Sequence, residues 1–196
     1  MLKPGKNNAK LGGKIQKRKW KGLPIYSLTL EERASCPTHC EQWNNCFGNN
    51  MPFAHRYDHT HPDFIPMLEN HLQTLLKKHT EGVVVRLHVL GDFYSTDYVE
   101  FWRRQLAKHP NLNAFGYTHH RATDSIGKRV NALNTALPDQ WRIRFSDDTS
   151  QQFRSEVLKS NQTNQIICPE QLGKTASCAT CGFCWSSEKP VVFIEH

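Results

Sequence analysis

The sequence predicts an α/β protein with a partial (β/α) barrel-like parallel sheet and a C-terminal cysteine-rich metal-binding extension. Three observations lead to this fold class. Strand-like apolar runs alternate with helical patterns between residues 25 and 145, the seven cysteines fall into two groups, and 196 residues suit one main domain with an appendage. The alternation implies right-handed crossovers and a parallel sheet, either open or part of a barrel.

Each predicted element follows from a local pattern. Alternating large and small side chains predict a strand over residues 25–30. Apolar residues at every fourth position predict a helix over residues 61–79, with Thr60 and Asp63 as its capping pair. The later elements are a buried strand at 83–90, a helix capped by Ser95, a strand at 112–117, a helix capped by Asp124 or Ser125, a strand at 141–145 and a polar connector at 149–165.

Polar residues follow each of the four predicted strands. Because the carboxyl ends of parallel strands meet at one edge of the sheet, we expect these residues to share a rim. The set is Cys36, Cys40 and Cys46, then Gly91 and Asp92, then His119, His120 and Arg121, and finally Asp147 and Asp148. Gly91 and Asp92 suit the ammonium group of an amino-acid ligand, or form an ordinary turn. The same turn alternative holds for Asp147 and Asp148, and only one of the two histidines can face inward from an extended strand.

The cysteines are better explained as metal ligands than as disulfides, because their number is odd and the expected reducing compartment disfavours structural disulfides. The first group leaves one coordination position open, and a zinc site with His39, His55 or His59 as fourth ligand is the alternative. The second group has the tight spacing of iron–sulfur ligands, again with zinc as the alternative. Its members are Cys168, Cys178, Cys181 and Cys184.

The formal charge of +7 is concentrated at the N-terminus. Residues 1–22 contain eight basic and no acidic residues, so 17 basic and 18 acidic residues remain in the rest of the chain. We therefore expect a basic flexible tail over residues 1–22 that contacts nucleic acid or is simply solvated, and that is dispensable for metal binding. No apolar run is long enough to span a bilayer, so we expect a cytoplasmic protein without membrane contact.

Several motifs together resemble the phage "gene product 88" domain family. They are the opening GKNNAKL at residues 5–11, YSL at 26–28 before Cys36 and Pro37, GDFY at 91–94, CPE at 168–170, and Cys178, Cys181 and Cys184 followed by Trp185. The resemblance covers nearly the whole chain, and the family is similar to radical S-adenosylmethionine (SAM) enzymes. It implies a radical-SAM-like partial barrel over residues 23–148 and a connector with the four-cysteine segment over residues 149–196.

By this resemblance, Cys36, Cys40 and Cys46 match the ligands of a [4Fe–4S] cluster that cleaves SAM reductively to a 5′-deoxyadenosyl radical. Gly91 and Asp92 match the strand-two motif that binds the methionine amine. The remaining cofactor-binding candidates are His119, His120, Arg121 and Asp147. The usual spacing is C-x3-C-x2-C with Glu in the strand-two motif, and the family's partial barrel has six strands, of which four are evident here.

The four-cysteine group would hold an auxiliary cluster, and flavodoxin or ferredoxin would be the reductant. The alternative hypothesis is a non-catalytic phage or plasmid protein of the bacterial cytoplasm. In that case zinc or iron–sulfur groups staple the fold, and the protein binds nucleic acid through its tail or binds a protein partner.

Overall fold

One seven-stranded sheet organises the computed structural model, which describes residues 1–160 and 162–195. The strands lie side by side in chain order, with β1 antiparallel to β2 and every later neighbour parallel. Their bounds are Lys3–Pro4 (β1), Ile25–Ser27 (β2), Val83–Leu87 (β3), Leu112–Thr118 (β4), Trp141–Ser146 (β5), Arg154–Leu158 (β6) and Val191–Ile194 (β7). The fold is therefore mixed α/β with a mostly parallel sheet.

Three long helices lie in the first three parallel crossovers, and their bounds are Phe64–Lys78 (α1), Thr96–Lys108 (α2) and Ser125–Ala136 (α3). Alternate strand residues such as Val83, Val85 and Leu87 share one buried cluster with the apolar stripes of these helices. The predicted alternation of strands and helices is confirmed from residue 25 to residue 146.

Two of the predicted helix caps are confirmed and one is wrong. The Ser95 hydroxyl accepts the Tyr98 N–H, and the Asp124 carboxylate accepts the Gly127 N–H at 2.7 Å. The first helix has no side-chain cap, because the Thr60 hydroxyl donates to Asp58 and thus bonds within the preceding turn. Local side-chain bonding of this kind competes with capping.

The other face of the sheet carries a second apolar cluster, which the two ends of the chain cover. Ile25, Val84 and Phe115 of the sheet pack there against residues from both ends. The covering residues are Leu11, Ile15, Ala179 and Trp185. Two short helices belong to this layer, Cys178–Cys181 (α4) and Phe183–Ser186 (α5).

Three strands were missed in the sequence. β6 lies inside the predicted polar connector, and only Ser155 of its five residues is buried. β7 comes after the four-cysteine segment, and β1 is two residues long. Short or half-exposed strands give little periodic signal, because few of their side chains face a core.

The N-terminal residues differ from the expected free tail. Leu2, Leu11 and Ile15 are buried, and Ile15 is only 2% exposed. Residues 14–24 form a hairpin in which the Ile15 N–H donates to Leu23 O and the Gly22 N–H donates to Ile15 O. We call residues 14–24 the basic hairpin, because Lys14, Lys17, Arg18 and Lys21 are exposed on it.

No helix among the described residues has the length and apolar character needed to cross a bilayer.

Candidate functional site

The three-cysteine loop lies between β2 and α1 and is tied to the segment that follows β3. The Leu30 N–H donates to Leu90 O at 3.0 Å, and the Asp92 N–H donates to the Ser35 hydroxyl at 3.2 Å. The loop thereby reaches the carboxyl end of the parallel sheet. The predicted convergence of the first two polar loops is confirmed.

The three thiols of this loop are neighbours, and each has a backbone hydrogen bond. Burial raises the pKa of Cys36 to about 12 and that of Cys40 to about 11, and the electrostatic influence of Cys46 adds to both. Backbone hydrogen bonds from Arg33 and Gln42 act in the opposite direction on Cys36 and Cys40. The Gly48 N–H donates to Cys46 Sγ at 3.4 Å. Such N–H donors stabilise a sulfur that carries negative charge.

Gly91 and Asp92 join the loops after β3 and β4. Gly91 has φ +82°, and a Cβ there would lie 2.5 Å from the Ser35 hydroxyl, so only glycine fits. The Asp92 carboxylate accepts two backbone N–H bonds at 2.7 Å, from Phe93 and from His119. Asp92 is therefore a buried anchor whose two oxygens already have partners.

His119 and Asp147 present free polar atoms at the same rim. Nε2 of His119 lies 3.8 Å from Oδ2 of Asp147, and both atoms are buried without a hydrogen-bond partner. The other Asp147 oxygen accepts the Val157 N–H at 3.1 Å, and burial raises the pKa of Asp147. The electrostatic influence of Asp147 reaches Cys40. Two buried polar atoms without a hydrogen-bond partner, one of them within electrostatic reach of Cys40, are a suitable place for a polar ligand.

The remaining rim candidates are engaged elsewhere. His120 Nε2 donates to Phe93 O at 2.7 Å, and its Nδ1 lies 3.1 Å from Asp124. Asp148 accepts hydrogen bonds from the Ser150 N–H and hydroxyl. It therefore acts as a turn residue, which is the alternative that the sequence predicts for it. Arg121 is exposed. The structure thus places Asp147 within electrostatic reach of Cys40, with His119 beside Asp147, and it turns His120 towards α3.

The four cysteines of the second group line one pocket on the opposite face of the sheet from the long helices. The empty volume of this pocket, including its mouth, is about 230 Å³. Its lining consists of Cys168, Cys178, Cys181 and Cys184 with Pro169, Glu170, Gly182, Phe183 and Trp185. Burial raises the pKa of Cys178 and of Cys184, while the nearby Arg144 and Tyr117 act on Cys184 in the opposite direction.

A larger cavity, with an empty volume of about 690 Å³ by the same measure, lies at the amino ends of β3 and β4. Its lining is Gln73, Leu76, Lys77, Lys108, His109 and Asn111. This lining contains no cysteine and no carboxylate, so we place the functional site at the two cysteine groups.

Two arginines beside the second group were missed in the sequence. Arg144 is 0% exposed, and its guanidinium donates to the backbone oxygens of Cys184 and Ser187. The Arg86 guanidinium lies 4.6 Å from the centre of the Tyr117 ring. Both side chains come from strands that are otherwise buried. The sequence does contain a signal for such residues, namely a charged residue inside an otherwise apolar strand, because a buried charge needs a partner.

Among the described residues, no three His, Cys, Asp or Glu side chains are arranged to hold a single metal ion. One zinc ion needs all ligand atoms at about 2.0–2.3 Å from one point. A [4Fe–4S] cluster places each thiolate on a different iron, so its ligands surround a larger space. Both groups consist of thiols, which suit iron–sulfur clusters and other soft metal centres, and metal ligation stays a prediction for both.

Glu32 and Arg56 hold the end of the three-cysteine loop. Arg56 donates to both oxygens of Glu32, at 2.6 and 2.8 Å, and to Gly48 O at 3.2 Å. The hydrogen bonds from Arg56 hold the pKa of Glu32 below its usual 4.5. We expect Glu32→Gln to lower the free energy of unfolding at pH 7 by about 1.5–3 kcal/mol, because a charge-assisted pair is lost.

The pH dependence follows from the direction of this shift. A carboxyl whose folded pKa is depressed stabilises the protein above its unfolded pKa, and this stability is lost as pH falls through the folded pKa. The wild type should therefore lose its advantage over Glu32→Gln below pH 4.5. Urea unfolding from pH 7 to pH 3 measures the difference. The control is Glu100→Gln, which removes an exposed pair with Arg103. If the wild type is still more stable than Glu32→Gln by the same amount at pH 3, the ionised Glu32 carboxylate is not the source of the difference.

A family model described as "Gene product 88" matches residues 2–187 of the chain. No curated protein and no solved structure matches it.

Proposed function

The chain belongs to the gene product 88 family, and we propose that it is an iron–sulfur protein with a radical-SAM-like activity. In this proposal Cys36, Cys40 and Cys46 hold a [4Fe–4S] cluster at which SAM is cleaved reductively. The observation that carries it is the position of the three-cysteine loop, which is hydrogen-bonded to the segment after β3 at the carboxyl end of the parallel sheet.

The sheet supports this proposal through its topology. β2 to β7 are six parallel strands in sequential order, whereas only four strands were evident in the sequence. In a (β/α) barrel, sequential order with right-handed crossovers places the connecting helices on one face, and α1, α2 and α3 follow this arrangement. The β6–β7 connection departs from it, because α4 and α5 lie on the other face. Six such strands are the number that the resemblance to radical SAM proteins implies.

The chain's own residues would bind and orient the ligand. When bound, the cluster would supply one electron and an open iron position for the amino and carboxylate groups of SAM. Asp147 offers a free oxygen for the ammonium, and His119 offers a free ring nitrogen for the carboxylate. Asp92 would act as a positioning residue, since it fixes the backbone of His119. This assignment moves the ammonium contact expected of Asp92 to Asp147.

The second cysteine group would hold an auxiliary cluster. All four thiols line one pocket, and a closed four-thiolate shell couples metal binding to local folding. A flavodoxin or ferredoxin is the class of protein that would deliver the electron.

Iron and acid-labile sulfide analysis of anaerobically reconstituted protein tests the proposal first. We expect about eight iron atoms per chain for two [4Fe–4S] clusters. Cys40→Ser should remove about half of the iron and spare most of the fold, whereas Cys181→Ser should remove the other half and lower the melting temperature, because a structural centre is lost. Equal destabilisation by both variants would contradict the structural role of the second centre.

The activity is tested on the same preparation. After reduction with dithionite and addition of SAM, we expect 5′-deoxyadenosine in the wild type and none in Cys40→Ser. His120→Gln is a matched control for His119→Gln, because the ring of His120 is engaged by Phe93 and Asp124 while that of His119 is free. Full cluster occupancy without the product, and without a SAM-induced change in the EPR signal, would defeat the enzymatic part.

That last outcome would favour the second candidate, a metal-stapled protein that binds nucleic acid. The observation behind it is the basic hairpin, whose exposed cations are held by packing instead of moving freely. Fixed cations neutralise phosphates through counterion release, which makes binding strongly dependent on salt.

A further inference from the structure

We infer that Arg86 and Arg144 are the built-in counter-charges of an anionic centre bound in the four-cysteine pocket, and that Tyr117 donates a hydrogen bond to that centre. The inference rests on the proposed function, because it requires metal–thiolate ligation by Cys168, Cys178, Cys181 and Cys184. Under this inference, these three side chains surround the centre and set its reduction potential.

Arg144 is a buried cation whose hydrogen bonds all go to neutral oxygens. Besides Cys184 and Ser187, its guanidinium donates to Arg154 O and Lys189 O, both at 2.9 Å. No carboxylate lies within 4 Å of it in the part of the chain that the structure describes. Its neighbour Glu188 is already paired with Arg142. Burial of a cation without an anion is costly, so an anion is required nearby.

Arg86 is the second such cation. Its guanidinium lies over the Tyr117 ring and donates to Leu87 O at 2.7 Å, and the ion pairs formed by the described residues do not include it. Asp92, the carboxylate that influences it, is occupied by two backbone N–H groups. The electrostatic influence of Arg86 reaches Cys178, and that of Arg144 reaches Cys184. Arg86 lies two residues after Val84, on the sheet face whose apolar cluster contacts Cys178 and Cys184, and Arg144 donates to Cys184 O. Both cations therefore lie on the face of the sheet that carries the four-cysteine pocket.

The charges match those of a metal–thiolate centre. Four thiolates carry four negative charges, and either Zn²⁺ or an oxidised [4Fe–4S] core carries two positive charges. The net charge is then −2, which equals the charge of the two guanidiniums in magnitude, since Glu170 of the pocket lining is already paired with Lys10. Thiols without a metal offer no such balance, because protonated cysteines are neutral.

A nearby cation has a definite effect on electron transfer. Reduction adds a negative charge to the centre, and a positive charge or a hydrogen-bond donor to sulfur stabilises the reduced form. Arg86, Arg144 and Tyr117 should therefore raise the reduction potential. Removal of one of them should make the centre harder to reduce.

The test uses the full-length chain carrying Cys40→Ser, so that the four-cysteine centre dominates the signal. Arg86→Met and Tyr117→Phe are compared with Arg142→Met, which removes an arginine from the neighbouring strand β5 that already has a carboxylate partner. We expect Arg86→Met to lower the ratio of reduced to oxidised centre about tenfold at a fixed potential, a shift of about 59 mV for one electron. Tyr117→Phe should lower it severalfold, and Arg142→Met should leave it unchanged.

Metal analysis of each variant shows whether the pocket binds a metal and which metal it is. If the centre contains zinc, competition with a chelating dye replaces the potential, and Arg86→Met should weaken zinc binding about tenfold. A centre whose potential or affinity is the same in Arg86→Met, Tyr117→Phe and Arg142→Met would overturn the inference while the metal site stands. Absence of any metal from the pocket in the parent chain would overturn the proposed function itself.

Discussion

Deletion of residues 1–22 is expected to abolish metal binding at the four-cysteine pocket and to destabilise the whole fold severely. The reason is packing, since Leu11 and Ile15 cover the second apolar cluster of the sheet together with Trp185. Burial of one such side chain contributes about 1.5–3 kcal/mol, and a small domain is stable by only about 5–15 kcal/mol. The distribution of charge alone predicts the opposite, namely that residues 1–22 are a tail that is dispensable for metal binding.

The N-terminal segment also positions the second cysteine group directly. The Cys178 N–H donates to Lys10 O at 2.7 Å, and the Ala179 N–H donates to Leu11 O at 2.9 Å. The Gln16 N–H donates in turn to Ala179 O at 3.0 Å. Helix α4, which contains Cys178 and Cys181, is therefore held by this segment.

A point substitution makes the same test without removing chain. Ile15→Ala should lower the free energy of unfolding by about 2–5 kcal/mol in urea titrations, as for other buried aliphatic residues. The matched control replaces Lys14, Lys17 and Lys21 with Gln, which removes charge from exposed positions and should keep both fold and metal. If the deletion variant retains its melting temperature and metal content, the packing has no energetic role.

The control variant also measures the second candidate function. Replacement of the three hairpin lysines should reduce the slope of log K against log salt by about three for any DNA or RNA that binds, since each phosphate contact contributes about one. An unchanged slope would place the nucleic-acid contact elsewhere or exclude it.

Arg144→Met is expected to lower the free energy of unfolding by about 3–5 kcal/mol, because four buried carbonyl groups lose their donor at once. These carbonyls belong to β6 and to the chain from Cys184 to Lys189, so Arg144 joins β5 to the C-terminal segment. The ring of Phe153, 4.2 Å from the guanidinium, adds a contact that methionine would not replace in full.

Urea unfolding of the metal-free protein measures the loss of stability in Arg144→Met separately from the proposed role of Arg144 as a counter-charge to the metal centre. Arg103→Met is the control, because Arg103 is half-exposed on α2 and its ion pair with Glu100 lies at the surface. Arg144→Lys keeps the charge but cannot serve four acceptors with three N–H groups, so its stability should fall between the two. A midpoint equal to that of Arg103→Met would show that the buried carbonyls do not depend on Arg144.

The sequence alone determined the class of the fold, the order of its helices and inner strands, and the rim to which the three-cysteine loop belongs. These features were accessible because they rest on neighbours two to four residues apart, such as the apolar run of β3 or the cap at Ser95. The division of the cysteines into groups of three and four was also visible as spacing.

The tertiary structure alone decided which groups at the rim are free and what covers the far face of the sheet. Asp92 and His120 looked available in sequence, yet each is satisfied by partners from another loop. The N-terminal lysines suggested a solvated tail, because a count of charges ignores the apolar residues between them. The burial of Leu11 and Ile15 becomes visible only in their packing against Trp185. Contacts such as Cys178 with Lys10 join residues far apart in the chain, so they depend on how all elements pack together and leave no local pattern.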